Sequence, residues 1–214
     1  MRYSALLFDL DGTITDSGKG IINSVTYALK KMEVAVSPQD NLRSFIGPPL
    51  KDSFMTNYDL DETAAEKAVA YYREYYRETG IYENTVYEGI PEVLKQLKQA
   101  GCQLYIATSK PEHFARQIAD YFQLTDFFEG IYGASMDGIR SKKGDVIRYA
   151  LNNGNINPAE AVMIGDREHD ILGAAENNLP AVGVLYGYGS KEELTVAGAY
   201  KILSKPVELA DLLI

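Results

Sequence analysis

The chain has 214 residues, of which 46% are hydrophobic and 24% are charged, a balance typical of a globular enzyme of one or two domains. Its 21 basic and 30 acidic residues give a formal net charge of −9, which disfavours broad binding to a nucleic acid polymer. An anionic substrate would therefore need a metal ion or a few focused cations. Cys102 is the only cysteine, which excludes an intrachain disulfide, and its apolar surroundings favour a buried small hydrophobe over a catalytic thiol.

The apolar run that precedes Asp9 is only about six residues long, too short for a secretory or membrane-spanning segment. We therefore expect a cytoplasmic protein without a membrane partner. We also expect a monomer or a weak homodimer.

Short apolar runs alternate with amphipathic stretches along most of the chain. The runs predict buried parallel strands at residues 5–10, 102–107, 161–165 and 180–185, with weaker candidates at 130–134 and 200–203. The amphipathic stretches predict helices at 91–100, 111–122, 144–153 and 168–178. Strand and helix in regular succession indicate an α/β fold with a doubly wound parallel sheet.

One region breaks this alternation. Between Asp16 and about Gly89 we find no convincing strand, only helical patterns at 21–32 and at 64–78, the second preceded by the capping residue Asp61. We predict an all-helical domain at residues 16–84 inserted into a core formed by 1–15 and 85–214, with hinges at 17–20 and 82–89. The alternative is that these helices pack on the sheet as part of one domain.

Polar residues follow three of the predicted strands. The segment DLDGT occupies residues 9–13, Thr108 and Ser109 end the second strand, and Gly165-Asp166 ends the fourth. Ligands of open α/β sheets bind beyond the carboxyl ends of the strands, so these clusters should converge in space.

Asp9 and Asp11 suit attack on a phosphate ester. An ionised carboxylate at Asp9 needs no base to act as a nucleophile, and Asp11 could protonate the leaving oxygen and later take a proton from water. Repulsion between the carboxylate and the phosphate requires a cation. Mg²⁺ prefers oxygen ligands, which Asp9, Asp166 and the backbone carbonyl of Asp11 could supply. Gly12 would let the chain turn and present N–H groups to phosphate oxygens.

Further polar residues could bind the phosphate or support the metal. Thr108 and Ser109 precede a predicted helix, whose N-terminus favours anions. Lys142 or Lys143 could neutralise charge on the transferring phosphoryl group; we prefer Lys143, but spacing does not exclude its neighbour. Asp170, four residues after Asp166, would bind a metal water or orient a ligand, and we interpret His169 as a bystander.

Together these residues resemble the haloacid dehalogenase superfamily of phosphohydrolases. The matching motifs are DLDGT at 9–13, Thr108-Ser109, the lysine at 142 or 143, and GDREHD at 165–170. The resemblance implies a parallel sheet with a mobile helical cap, Asp9 as nucleophile and Asp11 as acid and base. It also implies Thr108 and Lys143 at phosphate-binding positions and Asp166 as a metal ligand. The lysine motif departs from the common Lys-Pro form, which leaves the choice of lysine open.

The segments 16–18, 43–50 and 186–189 are similar to the bacterial branch of phosphoglycolate phosphatases and 5′-nucleotidases. The expected substrate is a small phosphate ester, with nucleoside 5′-monophosphates placed ahead of phosphoglycolate. Tyr71, Tyr72, Tyr75 and Tyr76 of one predicted helix could stack on a base or pack internally, and Arg43 or Lys51 could meet an anionic substrate. The alternatives are a phosphosugar mutase and a non-enzymatic phosphometabolite sensor.

Overall fold

The computed structural model describes residues 3–37 and 40–213. The chain divides into two compact units, which we call the core unit (Met1–Asp16 and Val86–Ile214) and the helical unit (Ser17–Thr85). The strands in chain order are β1 (Ala5–Phe8), β2 (Thr15–Asp16), β3 (Thr85–Val86), β4 (Gln103–Pro111), β5 (Gly130–Ala134), β6 (Ala161–Gly165), β7 (Ala181–Val184) and β8 (Lys201–Leu203). The helices are α1 (Gly18–Lys31), α2 (Leu50–Tyr58), α3 (Glu62–Glu78), α4 (Ile90–Gln99), α5 (Glu112–Tyr121), α6 (Lys143–Asn153), α7 (Glu168–Glu176) and α8 (Lys191–Val196).

Six strands of the core unit form one sheet in the order β5-β4-β1-β6-β7-β8, and every pair of neighbours in it is parallel. The chain adds β4 and β5 on one side of β1 and then β6, β7 and β8 on the other. The strand order therefore reverses at β1, which makes the carboxyl edge of β1, β4 and β6 a topological switch point. The predicted α/β fold with a doubly wound parallel sheet is confirmed.

The central strands are buried over their whole length. All four residues of β1 and all five of β6 are buried, the pattern of strands covered on both faces. On one face, α6 and α7 contribute Val146, Ile147 and Ile171 to a core that includes Leu7 and Met163. Burial of these continuous apolar runs fixes the sheet, because each large aliphatic side chain removed from water stabilises the fold by about 1.5–3 kcal/mol.

Cys102, just before β4, is also buried, and burial raises the pKa of its thiol. A thiol held in its neutral form is a poor nucleophile, in agreement with a packing role.

The helical unit is built around α1 and α3. Asp61 caps α3 by accepting a hydrogen bond from the N–H of Ala64 at 2.8 Å. On α3, Tyr72 and Tyr76 are buried, with their rings stacked at a centroid distance of 5.3 Å. These two tyrosines pack internally, whereas Tyr71 and Tyr75 of the same helix are half-buried.

Several short elements were not expected from the sequence. α2 was missed because its residues mix polar and apolar side chains with little helical period and follow the turn residues Gly47, Pro48 and Pro49. α8 and the two-residue strands β2 and β3 are too short to leave a pattern. The expectation of no strand between Asp16 and Gly89 was therefore wrong at Thr85–Val86. Within residues 3–37 and 40–213, no helix combines the length and apolar character needed to cross a membrane.

Candidate active site

Asp9 lies directly after β1 and is almost fully buried. The register pairs Phe8 with Ile106 on one side and Ile164 on the other, so Asp9 lies between the ends of β4 and β6. Its N–H donates to the carbonyl of Ile164 at 2.8 Å. The Nζ of Lys143 lies 2.7 Å from Asp9 Oδ1. The structure thus brings the predicted nucleophile and a lysine together at the switch point.

Lys143 is the first residue of α6 and is buried, whereas its neighbour Lys142 is exposed. Besides Asp9, its Nζ contacts Asp170 Oδ1 at 2.8 Å and donates to the carbonyl of Ala107 at 3.1 Å. Burial alone would lower the pKa of Lys143, but the charges of Asp170 and Asp9 outweigh it and raise the pKa. Lys143, not Lys142, therefore places a permanent positive charge in the site.

Three buried carboxylates form a cluster at this position, and Lys143 contacts two of them, Asp9 and Asp170. Asp9, Asp166 and Asp170 each place an oxygen within 4.8 Å of the other two. Counted with Lys143, their formal charge is −3 + 1 = −2. Burial raises the pKa of Asp166 well above its usual range, and the charges of Asp170 and Asp9 raise it further. Burial likewise raises the pKa of Asp170, in spite of Lys143. The protein alone leaves excess negative charge in a buried site.

This donor set fits a hard divalent cation. It contains only carboxylate oxygens, which Mg²⁺ and Ca²⁺ prefer, and an added charge of +2 would balance the excess of −2. Asp9 and Asp166 are the residues that would hold such an ion. Asp170 contacts Lys143 and accepts a hydrogen bond from the N–H of Arg167 at 3.0 Å, so the structure places it as the partner of the lysine.

Asp166 is enclosed by backbone that admits no larger side chains. Gly12 has a φ of +85°, and a Cβ on it would lie 2.2 Å from Asp166 Oδ2. A Cβ on Gly187 would lie 2.3 Å from the carbonyl oxygen of Gly12. The N–H of Tyr188 donates to Asp166 Oδ2 at 2.8 Å. The loop at 186–189 therefore fixes the orientation of this carboxylate.

The predicted phosphate-binding residues differ in burial and in the hydrogen bonds that they already make. Thr108 is fully buried and its Oγ1 accepts a hydrogen bond from the N–H of Lys110 at 3.2 Å, whereas Ser109 is half-buried. The N–H of Gly12 donates to the carbonyl of Thr15 at 2.8 Å. A phosphate-binding role for that N–H would require this hydrogen bond to open.

Asp11 is paired with Lys110, which was not among the site residues predicted from the sequence. The Nζ of Lys110 lies 2.8 Å from Asp11 Oδ2, and both side chains are largely buried. The available signal was a lysine directly after Thr108 and Ser109, at the end of a strand that leads to the site.

No role was predicted for Tyr87, Tyr186 and Tyr188 of the core unit, although the last two belong to the segment 186–189 that carries part of the resemblance. Tyr87 and Tyr186 pack edge to face at 5.2 Å, and the hydroxyl of Tyr188 donates to Asp16 Oδ1 at 2.6 Å. Burial and nearby carboxylates raise the pKa of all three phenols, so they remain neutral hydrogen-bonding groups at neutral pH. Their mixture of apolar rings and hydroxyls would suit contacts with a substrate or its bound water.

The candidate cations of the helical unit differ in their surroundings. Lys51 Nζ contacts Glu62 at 2.5 Å and Glu66 at 2.9 Å, so its charge is already matched within the unit. Arg43 is exposed. Of the two residues that the sequence offered for an anionic substrate, Arg43 is the less constrained.

The fold and the site define an α/β enzyme with a buried carboxylate cluster at the switch point of a parallel sheet. A profile of haloacid dehalogenase-like hydrolases matches residues 6–184, and the chain belongs to this family. It is 47% identical over 194 residues to a 5′-nucleotidase of Pseudomonas aeruginosa, covering 91% of this chain and 88% of the relative. It is 31% identical over 201 residues to a phosphoglycolate phosphatase of Colwellia psychrerythraea, covering 90% of this chain and 89% of the relative.

The chain is also 41% identical to the tyrosine-protein kinase PtkA of Mycobacterium tuberculosis, covering 86% of this chain but 62% of the kinase. Among solved structures, a predicted phosphatase from Clostridium acetobutylicum is 49% identical, with a TM-score of 0.96. The match covers 100% of this chain and 99% of that structure's chain. The expected resemblance is confirmed, and the protein is a phosphatase.

Proposed function

We propose that the protein is a magnesium-dependent phosphomonoester hydrolase that works through an aspartyl-phosphate intermediate at Asp9. The observation that carries this proposal is the buried cluster of Asp9, Asp166 and Asp170 at the switch point of the sheet, in which Lys143 contacts Asp9 and Asp170. Attack on a phosphate ester requires a carboxylate nucleophile, a fixed positive charge and carboxylates that can hold a divalent cation, and this cluster supplies all three.

In the first step a carboxylate oxygen of Asp9 attacks phosphorus and the bond from phosphorus to the ester oxygen breaks. Asp11 gives its proton to that oxygen, so the alcohol leaves in neutral form. Lys143 stabilises the charge that builds on the phosphoryl oxygens, and Thr108 and Ser109 supply hydrogen bonds to them. A magnesium ion held by Asp9 and Asp166 would neutralise the repulsion between carboxylate and phosphate.

In the second step Asp11, now ionised, takes a proton from water as the water oxygen attacks phosphorus. The bond between phosphorus and the Asp9 oxygen breaks, inorganic phosphate is released, and both aspartates return to their starting states. Hydrolysis therefore needs Asp11 twice, in opposite directions.

The substrate class is a small phosphate ester, and we place nucleoside 5′-monophosphates ahead of phosphoglycolate. The higher identity to the 5′-nucleotidase than to the phosphoglycolate phosphatase supports this order. The helical unit, residues 17–85, is proposed to act as the cap that selects the ester. A cytoplasmic location, a monomer or weak homodimer, and the absence of nucleic acid and membrane partners stay predictions.

Steady-state kinetics test the proposal. Purified protein should release inorganic phosphate from nucleoside 5′-monophosphates with added Mg²⁺, lose activity in chelator, and regain it when Mg²⁺ is restored. Full activity after exhaustive chelation would contradict the metal role. A kcat/KM for phosphoglycolate tenfold above that for every nucleotide tested would reverse the substrate order. A mutase would transfer the phosphoryl group to a second hydroxyl without releasing phosphate, and a sensor would bind the ester without turnover.

A further inference from the structure

Lys110 occupies a position that a regular strand would not give it. On β4 the pairing with β5 advances by three residues, from Thr108 to Pro111, whereas on β5 it advances by one, from Gly133 to Ala134. Ser109 and Lys110 are therefore two extra residues in a β-bulge. Bulges next to active sites change the direction in which a side chain points.

The surroundings hold this bulge in place. The N–H of Lys110 donates to the hydroxyl oxygen of Thr108 at 3.2 Å. On the facing strand, a Cβ on Gly133 would lie 2.6 Å from the carbonyl oxygen of Lys110 and 2.5 Å from the Cα of Glu112. Only a residue without a side chain fits opposite the bulge. The local sequence and the neighbouring strand thus both fix the conformation that turns Lys110 toward Asp11.

The two oxygens of Asp11 are in different situations. Oδ2 lies 2.8 Å from Lys110 Nζ, and the side chains of Lys110 and Asp11 are 5% and 12% exposed. Oδ1 is buried and, within the described residues, has no hydrogen-bond partner. An ion pair on one oxygen restricts rotation of the carboxyl group, and the other oxygen is left for a group that is not part of the protein.

From this asymmetry we propose that Lys110 is a positioning residue for the acid and base of the reaction. It holds Oδ2 of Asp11 so that Oδ1 meets the ester oxygen of the substrate. The inference rests on the proposed function, because it assigns Lys110 a role in proton transfer by Asp11. It predicts that loss of Lys110 lowers kcat/KM strongly only when the leaving group needs a proton.

Two esters separate this role from a structural one. A nucleoside 5′-monophosphate releases an alkoxide that must be protonated, whereas para-nitrophenyl phosphate releases a stable phenolate. Loss of well-placed acid catalysis should lower kcat/KM of Lys110→Met about 100-fold for the nucleotide and less than about fivefold for the nitrophenyl ester. The parameter kcat/KM reports steps up to phosphoryl transfer, so the later hydrolysis does not obscure the comparison. Lys95→Met, on the exposed face of α4, is the matched control and should behave as wild type.

Measurements on an Asp11→Asn background complete the test. If Lys110 acts through Asp11, adding Lys110→Met to the Asp11→Asn variant should not lower kcat/KM any further. Equal losses for both esters, no loss at all, or the same loss in the presence and absence of Asp11 would overturn the proposal. If Lys110→Met does not fold, Lys110→Gln decides by the same comparison. Failure of the wild type to release phosphate from either ester would instead contradict the proposed function.

Discussion

Replacement of Lys143 by methionine should destabilise the fold, because the side chain is the cation of a buried carboxylate cluster. Its Nζ lies 2.7 Å from Asp9 Oδ1 and 2.8 Å from Asp170 Oδ1, and the three side chains are 2–7% exposed. At an effective dielectric constant of about 20, each contact corresponds to a gross attraction of roughly 6 kcal/mol. Most of this attraction is offset by the cost of removing the charges from water.

The loss of stability in Lys143→Met depends on the carboxylate charges that remain buried after the substitution. Removal of one partner from a buried ion pair typically lowers the free energy of unfolding by about 3–5 kcal/mol, since the remaining charge has no compensation. For a chain of this size, each kcal/mol changes Tm by about 2–4 °C. We therefore expect Lys143→Met to lower Tm by about 6–20 °C in chelator. Saturating Mg²⁺ should narrow this difference, because the metal ion would replace part of the lost charge.

Thermal and urea unfolding of Lys143→Met, with and without Mg²⁺, measure both effects. Lys142→Met is the matched control, because it removes the same charge from the adjacent exposed position and should stay within about 0.5 kcal/mol of wild type. If Lys143→Met in chelator is within about 1 kcal/mol of wild type, the charge balance described for the cluster is incorrect.

Three further predictions concern the same cluster. Asp166→Asn should raise the Mg²⁺ concentration for half-maximal activity at least about tenfold, and an unchanged requirement would count against its role as a ligand. In chelator, the part of the wild-type stability that comes from Asp166 and Asp170 should fall as pH rises above about 4, because their native-state pKa values lie above their unfolded values and favour the folded state only at lower pH. The free energy of unfolding of Asp166→Asn, measured with urea, should fall less steeply with pH than that of the wild type. Equal pH slopes for the two proteins would refute the raised pKa of Asp166. Gly12→Ala should lose activity and at least about 1–3 kcal/mol of stability, whereas Gly101→Ala, which also has positive φ but nothing within 4 Å of its Cβ, should lose stability alone.

The sequence predicted the sheet well because its strands are continuous apolar runs. In a parallel sheet covered on both faces, burial requires such runs, and β6 coincides with the expected 161–165. The convergence of Asp9 and Asp166 follows from the same topology. Short elements such as α8 contain too few residues to show a period, so they could be found only in the folded chain.

The contacts within the site were harder to predict, because they depend on side-chain direction. Spacing could not separate Lys142 from Lys143, since the start of α6 decides which of the two is buried. Lys110 was missed because a bulge, recognisable only from the pairing of β4 with β5, turns it toward Asp11. The catalytic roles of these residues stay predictions until they are measured.

Trapping the phosphorylated residue would test the aspartyl-phosphate mechanism directly. Asp11→Asn should still be phosphorylated by para-nitrophenyl phosphate, because this leaving group needs no proton, but should hydrolyse the intermediate slowly for want of a base. Rapid acid quench, reduction of the acyl phosphate with borohydride and peptide mass spectrometry would then identify the modified residue. We expect modification at Asp9 and none in the Asp9→Asn, Asp11→Asn double variant. Modification at another residue, or phosphate release by the double variant at the rate of Asp11→Asn alone, would contradict this mechanism.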